Sequence, residues 1–168
     1  RAAYRAALQL DPKQLDVHFQ WARVEMRLGD SGRARQLYEE ALELNERDVD
    51  ARIELARLYE ETGENMAARE LLAQGLREAE DEALLLQELG RVLWKVGELK
   101  LALSYFESAL NLNPFLSFSR RLAALIFSEM GEYERAISHY TTLIKEDERD
   151  AQIWISRGIV YSQMGEFL

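Results

Sequence analysis

The sequence has 168 residues, of which 48% are apolar and 30% charged, and its formal net charge is −9. A chain of this length can bury a sizeable core, whereas the absence of cysteine excludes a disulfide framework and zinc sites built on thiolates. The acidic balance disfavours non-specific binding to nucleic acid or to an anionic membrane, and no apolar run approaches the roughly 18 residues that a membrane-spanning helix needs.

A glycine recurs every 34 residues, and other residue types recur in the same register. The glycines are Gly29, Gly63, Gly97, Gly131 and Gly165. Seven positions before them stand the small residues Ala22, Ala56, Gly90, Ala124 and Gly158. Five positions after them stand Ala34, Ala68, Ala102 and Ala136, and nine positions after them Tyr38, Leu72, Phe106 and Tyr140. A motif that returns at such a period indicates a stack of repeated structural units.

In chain order, the register predicts a partial repeat at 1–14, full repeats at 15–48, 49–82, 83–116 and 117–150, and a partial repeat at 151–168. Each full repeat predicts two amphipathic helices, because apolar residues recur at spacings of three and four. The first helix of each pair is expected to end at the glycine, in a left-handed cap. We expect Asp48 and Asp150 to cap the first helices that follow them, about ten helices in all, and a segment of a longer protein.

The repeat resembles the tetratricopeptide repeat family. The matching motif is most complete in the third full repeat, where it reads Leu89, Gly90, Gly97, Ala102, Phe106, Ala109 and Pro114. The resemblance covers the whole chain. It implies an all-α fold, an α-solenoid of stacked antiparallel helix hairpins in a right-handed superhelix.

One stretch departs from this pattern. Trp21 stands where the family has a leucine, and Glu25 stands where it has an aromatic residue. The stretch is similar to the half-a-TPR variant found in RNA-processing scaffolds, and it keeps such a scaffold open as an alternative function.

The sequence shows no constellation typical of catalysis. His18 and His139, the two histidines, are 121 residues apart in different predicted helices, and no glycine-rich phosphate loop follows a strand. No serine is accompanied by an organised histidine and acid. We therefore expect a chain that is not an enzyme and that holds no metal and no cofactor, unless it is the accessory domain of an enzyme whose catalytic part lies elsewhere.

The resemblance implies that the first helix of each repeat lines the concave face of the superhelix, where a partner would bind. The residues expected to contact a partner protein there are Phe19, Arg23, Arg27, Ile53, Arg57, Arg91, Trp94, Lys95, Phe118 and Arg121. Trp94 and Phe118 are the expected exposed anchors among the aromatic residues. Trp21 and Trp154 are expected to be packing residues.

Three of these arginines predict a basic ladder. Arg23, Arg57 and Arg91 stand six positions before successive glycines, so they should lie side by side in adjacent repeats. A basic stripe in a concave surface attracts carboxylates, which arginine binds in a bidentate manner. The alternative is internal pairing, because Glu54 and Glu88 lie three positions before Arg57 and Arg91 on the same helices. If the ladder serves a ligand, reversing the charges of Arg57 and Arg91 should weaken binding sharply and change stability little.

These patterns favour a non-catalytic protein–protein interaction scaffold. Its partner would be a protein or peptide segment with acidic and apolar residues, with no direct binding to nucleic acid and no membrane insertion. Repeat ends without a neighbour also predict end-to-end self-association. The sequence is compatible with a cytoplasmic or a bacterial periplasmic location, and with a bacterial envelope, export or complex-assembly protein.

Overall fold

The computed structural model describes residues 1–78 and 82–165, and these two ranges contain ten α-helices and no strand. The helices are α1 (Ala2–Leu10), α2 (Leu15–Arg27), α3 (Ser31–Leu44), α4 (Val49–Glu61), α5 (Asn65–Glu78), α6 (Glu82–Lys95), α7 (Leu99–Leu112), α8 (Ser117–Glu129), α9 (Tyr133–Glu146) and α10 (Ala151–Met164). The prediction of an all-α helical repeat is confirmed. We call the even-numbered helices, which end at the repeat glycines, A-type, and the odd-numbered helices B-type.

The helices form two compact units, Arg1–Glu88 and Leu89–Leu168. In the first unit, each of the helices α1 to α5 packs against its neighbours in the chain, and the same holds for α7 to α10 in the second. Helix α6 contributes its first half to the first unit and its second half to the second. Consecutive packing of this kind is the arrangement that repeat proteins use to bury apolar faces that one hairpin cannot bury alone.

The repeat glycines end the A-type helices because they adopt a backbone conformation that other residues avoid. All five have φ angles between 76° and 82°, in the left-handed region. The residue after the glycine then donates its N–H to a carbonyl five positions back in the helix. Asp30 does so to Glu25 at 2.9 Å, and Glu132 does so to Phe127 at 2.8 Å. These bonds satisfy carbonyls that would otherwise lack a partner at the helix end, as the sequence predicted.

Aspartates start three of the helices that follow turns. The Asp48 carboxylate accepts a hydrogen bond from the Ala51 N–H at 2.9 Å, and Asp150 accepts one from the Gln152 N–H at 3.0 Å. Both caps were predicted from the sequence. Asp30, which directly follows a repeat glycine, caps α3 by accepting from the Arg33 N–H at 3.1 Å. Each cap satisfies one of the free N–H groups of a helix start.

Most small residues of the register are buried between helices, whereas Gly158 on α10 is exposed. The alanines five positions after the repeat glycines are all fully buried, as predicted: Ala34, Ala68, Ala102 and Ala136. In the second unit, Gly90 of α6 contacts the ring of Phe106 on α7 so closely that an added Cβ atom would lie 2.9 Å from the ring. The large residue of the B-type helix thus fills the space that the missing side chain leaves.

Candidate functional site

The exposed face of the A-type helices carries the polar residues of the predicted partner surface. On α2 this face presents Asp16, Gln20, Arg23 and Arg27, and on α4 it presents Asp50, Glu54, Arg57 and Glu61. The spacing of three and four residues places each set on one side of its helix. All these side chains belong to the first unit. The two helices therefore display different charges at equivalent positions, since Arg27 corresponds to Glu61.

Arg23 and Phe19 lie together on α2. The Arg23 guanidinium lies 5.9 Å from the centre of the Phe19 ring, and this ring packs edge-on against Tyr38 at 5.8 Å. Phe19 is half-buried and Arg23 exposed. No ion pair to a described residue occupies Arg23 or Arg27. Arg23 and Arg27 thus form a basic surface that is exposed to solvent, with the ring of Phe19 packed beneath Arg23.

Arg57 takes part in an internal ion-pair network. Its Nη1 lies 3.2 Å from Glu54 on the same helix, as the i,i+3 spacing predicted, and its Nη2 donates to Glu88 of α6 at 2.9 Å. The side chain of Glu88 is only 2% exposed, whereas that of Arg57 is 44% exposed. A buried carboxylate needs such partners. This pairing supports the alternative of internal pairing at Arg57, and a charge reversal there is now expected to lower stability.

The remaining basic residues of the predicted partner surface, Arg91, Lys95 and Arg121, all belong to the second unit. Arg91 and Trp94 are half-buried on α6, and Lys95 is exposed in its last turn. These three belong to the second unit, so the continuous ladder of three arginines stays a prediction. Arg121 on α8 donates to the Asp150 carboxylate at 2.9 Å, which ties α8 to the start of α10.

Two apolar assignments need correction. Ile53 is 7% exposed, because it packs into the core of the first unit, so it offers almost no surface to a partner. Trp154 was expected to be a packing residue, but it is 46% exposed on α10 and lies under the guanidinium of Arg157, 4.8 Å from the ring centre. Trp21 is buried, as expected. It stacks on Tyr4 with the ring centres 6.3 Å apart.

An apolar surface covers the A-type helices of the second unit. Phe118 on α8 is 43% exposed, and Ile155 and Ile159 on α10 are 55% and 53% exposed. The helices that carry these residues are also linked by a hydrogen bond from the Ser128 hydroxyl to the Gln163 amide oxygen at 2.8 Å. A group of exposed apolar side chains on one helix face is a candidate binding surface when it forms a contiguous patch. The prediction of Phe118 as an exposed aromatic residue is consistent with this exposure.

Glu25 is buried and joins α2 to the start of the chain. Its carboxylate accepts hydrogen bonds from Arg1, including one from Nε at 2.9 Å, and another from the Trp21 indole N–H at 2.5 Å. The bonds from Arg1 lower the pKa of Glu25, while burial acts in the opposite direction. The Trp21–Glu25 spacing that resembles the half-a-TPR variant is thus accounted for by a local contact between the two side chains.

The lowered pKa of Glu25 predicts that α1 loosens in acid. A carboxyl group whose pKa falls on folding contributes stability above its ordinary value near 4.5, and loses it as the pH falls through the lower folded value. The Trp21 indole N–H resonance, followed by NMR against pH, should report this loss. In a Glu25→Gln variant the pH dependence should disappear, whereas Asp16→Asn should retain it. Equal pH profiles for wild type and Glu25→Gln would contradict the prediction.

The sequence analysis missed a set of side chains that fasten the turns between repeats. Eleven positions before the repeat glycines, three side chains donate an N–H to a carbonyl of the preceding turn. Arg52 donates to Glu46 at 2.5 Å, Arg120 to Pro114 at 2.5 Å, and Trp154 to Glu148 at 3.1 Å. The residue types differ, so the pattern is invisible as a consensus. What the three share is an N–H group that reaches six residues back.

No cluster of side chains suited to a metal ion occurs within residues 1–78 and 82–165. None of the helices in these ranges is both long and apolar enough to cross a membrane.

Comparisons with known proteins agree with the geometry. Three models described as tetratricopeptide repeat match residues 25–91, 83–115 and 120–152. No curated protein matches the sequence. The solved structure of YrrB, described as a TPR protein with an unusual peptide-binding site, is similar at 23% identity and a TM-score of 0.73, over 97% of this chain and 84% of that one.

Two further solved structures share the fold. PilF from Pseudomonas aeruginosa has 20% identity and a TM-score of 0.84, over 97% of this chain and 74% of that chain. MamA has 21% identity and a TM-score of 0.75, over 90% of this chain and 82% of that chain. With family matches that together span most of the sequence, and with helix pairs that end at left-handed glycines every 34 residues, the chain belongs to the tetratricopeptide repeat family.

Proposed function

We propose that the chain is a non-catalytic scaffold that binds a segment of a partner protein across its A-type helices. Membership of the tetratricopeptide repeat family supports a protein-interaction scaffold in general. The similar structure of YrrB is described as having a peptide-binding site, which supports a peptide segment as the form of the partner. The chemistry of the partner segment follows from the two surfaces described above.

The observation that carries the proposal is the open basic surface on α2. Arg23 and Arg27 lie one helical turn apart and are exposed, and no ion pair to a described residue occupies them. Arginines in this state bind carboxylates through charge-assisted hydrogen bonds. Phe19 beneath Arg23 keeps the guanidinium in place, since a cation over an aromatic ring is attracted to it. The first unit would therefore bind acidic residues of the partner.

The second unit would bind apolar residues. Phe118, Ile155 and Ile159 are each about half exposed. Burial of such side chains against a partner contributes about 25 cal/mol per Å² of apolar surface.

Arg57 and Arg121 are held by carboxylates of this chain, so they would contribute less to partner binding than the sequence alone indicated. Trp94 and Arg91 are half-buried and would form the edge of the surface.

The cellular role stays a wider proposal. PilW, a similar solved structure at 16% identity and a TM-score of 0.81, is described as a type IV pilus biogenesis factor. This likeness supports a place in a bacterial envelope or complex-assembly protein.

Self-association through the terminal helices α1 and α10 is a separate prediction, and sedimentation velocity over a range of concentrations would detect it.

Peptide selection tests the proposed binding mode. Random peptides displayed on phage and selected on the chain should become enriched in segments that combine Asp or Glu with Leu, Ile or Phe. The affinity of a selected peptide, measured by fluorescence anisotropy, should fall with added NaCl. Replacing Arg23 and Arg27 with glutamate should lower the affinity for the selected peptide about tenfold or more.

A charge-matched control separates this site from the overall field of the protein. Arg5 and Arg77 are exposed on B-type helices, and replacing both with glutamate changes the net charge by the same amount. This variant should bind the selected peptide almost as well as wild type. An equal loss of affinity in both variants, or a selection without enrichment in acidic residues, would refute the assignment.

A further inference from the structure

A polar cavity lies in the second unit, apart from the A-type surface. It has a volume of about 530 Å³ and lies between the B-type helices α7 and α9, beside the start of α8. Its lining residues are Glu107, Leu110, Asn111, Pro114, Arg120 and His139. Two of these side chains carry nitrogen atoms that can bear a positive charge. Arg120 lies on α8 and His139 on α9. The cavity is thus built by the packing of three helices rather than by one loop.

Two nitrogen atoms beside this cavity lack hydrogen-bond partners. Nε of Arg120 and Nδ1 of His139 are buried, and neither bonds to any described residue. Arg120 is anchored through another nitrogen, which donates to the Pro114 carbonyl at 2.5 Å, and its Nε lies 3.6 Å from Glu146, beyond hydrogen-bond distance. A buried polar group without a hydrogen-bond partner is energetically unfavourable. Nε of Arg120 and Nδ1 of His139 can therefore each form one further hydrogen bond.

The first unit contains an equivalent cavity in which this capacity is used. Arg52 stands at the position of Arg120, and it donates to the carbonyls of both Glu46 and Leu71. Its side chain passes over Gly75, where an added Cβ atom would lie 2.4 Å from its Cδ. In the second unit, Leu143 stands at the position of Gly75 and is buried. Leu143 thus adds a side chain at the position where Gly75 leaves room for Arg52.

The two cavities also differ in charge. The cavity of the first unit, of about 380 Å³, is lined by three acidic residues, Glu39, Glu43 and Glu46. The cavity of the second unit has one, Glu107, whose carboxylate is bound by Arg135 at 2.5 Å. At the positions of Glu43 and Glu46 it has Asn111 and Pro114. The acids that would repel an anion in the first unit are therefore replaced or neutralised in the second.

The charges that face His139 come from every helix packed around it. They are Arg120 on α8, Arg135 on α9 and Glu107 on α7, and Glu146 of α9 lies 3.6 Å from Nε of Arg120. The imidazole stacks on Phe127 with the ring centres 5.4 Å apart. Burial lowers the pKa of His139, and the charges of Arg120 and Arg135 lower it further. An anion in the cavity would act in the opposite direction and favour the charged imidazole.

We propose that this cavity binds a carboxylate group, which accepts hydrogen bonds from Arg120 and His139. The amide of Asn111 supplies a further donor on the same wall. The carboxylate belongs either to a small free acid or to an acidic group of a peptide. This site is independent of the A-type surface, because it shares no residue with it.

NMR of the histidine side chains tests the proposal, since His18 in the first unit serves as an internal reference. Three probes distinguish the sources: acetate, a short peptide with an internal Glu and an amidated C-terminus, and the same peptide with Gln and a free C-terminus. At least one should shift the His139 resonances in a saturable manner and raise the pKa of His139, and leave His18 unchanged. Sodium chloride at equal ionic strength should not reproduce the effect.

Matched variants separate binding from folding. For the probe that binds, Arg120→Gln should lower the affinity about tenfold, as expected for the loss of one charge-assisted hydrogen bond. Arg52→Gln removes the equivalent arginine of the first unit and should leave the affinity unchanged. His139→Gln retains the hydrogen bond from Arg120 to Pro114 but removes the NMR reporter, so binding is followed through the side-chain amide resonances of Asn111. It should also be weaker, with the helical circular dichroism of wild type. If no probe shifts His139, or if chloride shifts it equally, the cavity holds water only and the proposal is overturned.

Discussion

Replacing Arg57 with glutamine should lower the free energy of unfolding by about 1–3 kcal/mol. The reason is the burial of Glu88, whose side chain is 2% exposed and accepts a hydrogen bond from Arg57 at 2.9 Å. Without the guanidinium, the buried carboxylate loses a cationic partner. Breaking a fully buried ion pair costs more, but Arg57 itself is nearly half exposed, and solvent screens part of the loss. Urea unfolding of the two proteins measures the difference.

Arg23→Gln is the matched control for this prediction. Arg23 occupies the same repeat position as Arg57, but its partner is the ring of Phe19 rather than a buried acid. Its replacement should change stability by no more than about 0.5 kcal/mol. The double variant Arg57→Gln/Glu88→Gln should recover part of the loss, because it removes the charge that needs compensation. Equal stability of the Arg57→Gln and Arg23→Gln variants would show that the pair contributes nothing.

Two glycines at one repeat position should respond in opposite ways to alanine. At Gly90 an added Cβ atom would lie 2.9 Å from Cε1 of Phe106 and 3.2 Å from the Ala102 carbonyl oxygen. Overpacking of this kind costs about 1–3 kcal/mol. At Gly158 an added Cβ atom would meet nothing within 4 Å. Since glycine weakens the interior of a helix, Gly158→Ala should raise stability by about 0.5–1 kcal/mol.

Thermal unfolding followed by circular dichroism would measure both changes in the same unit of the protein. A Gly90→Ala/Phe106→Leu double variant should relieve part of the strain, because the smaller side chain frees the space above Gly90. A shift of the same sign in Gly90→Ala and Gly158→Ala would show that the ring of Phe106 yields at little cost, and that helix propensity dominates at both positions.

The sequence determined the local structure and its period. The glycines at 34-residue intervals end helices because only glycine adopts φ angles near 80° without strain, and this requirement is local. The caps at Asp48 and Asp150 are also local and were predicted, and the i,i+3 pair of Glu54 and Arg57 was one of two alternatives that the sequence left open. The buried alanines followed from the repeat itself, because equivalent positions meet equivalent neighbours.

Tertiary structure decided which polar groups find partners. Arg57 meets Glu88 from 31 positions away, and Arg121 meets Asp150 from 29 positions away. These contacts depend on the packing of successive hairpins, which a residue pattern within one helix does not contain. The same packing buries Ile53, leaves Trp154 exposed, and places His139 and Arg120 at one cavity. Repetition along the chain thus determined the backbone, whereas the residues that differ between repeats acquire their chemistry only from the neighbours that the fold brings to them.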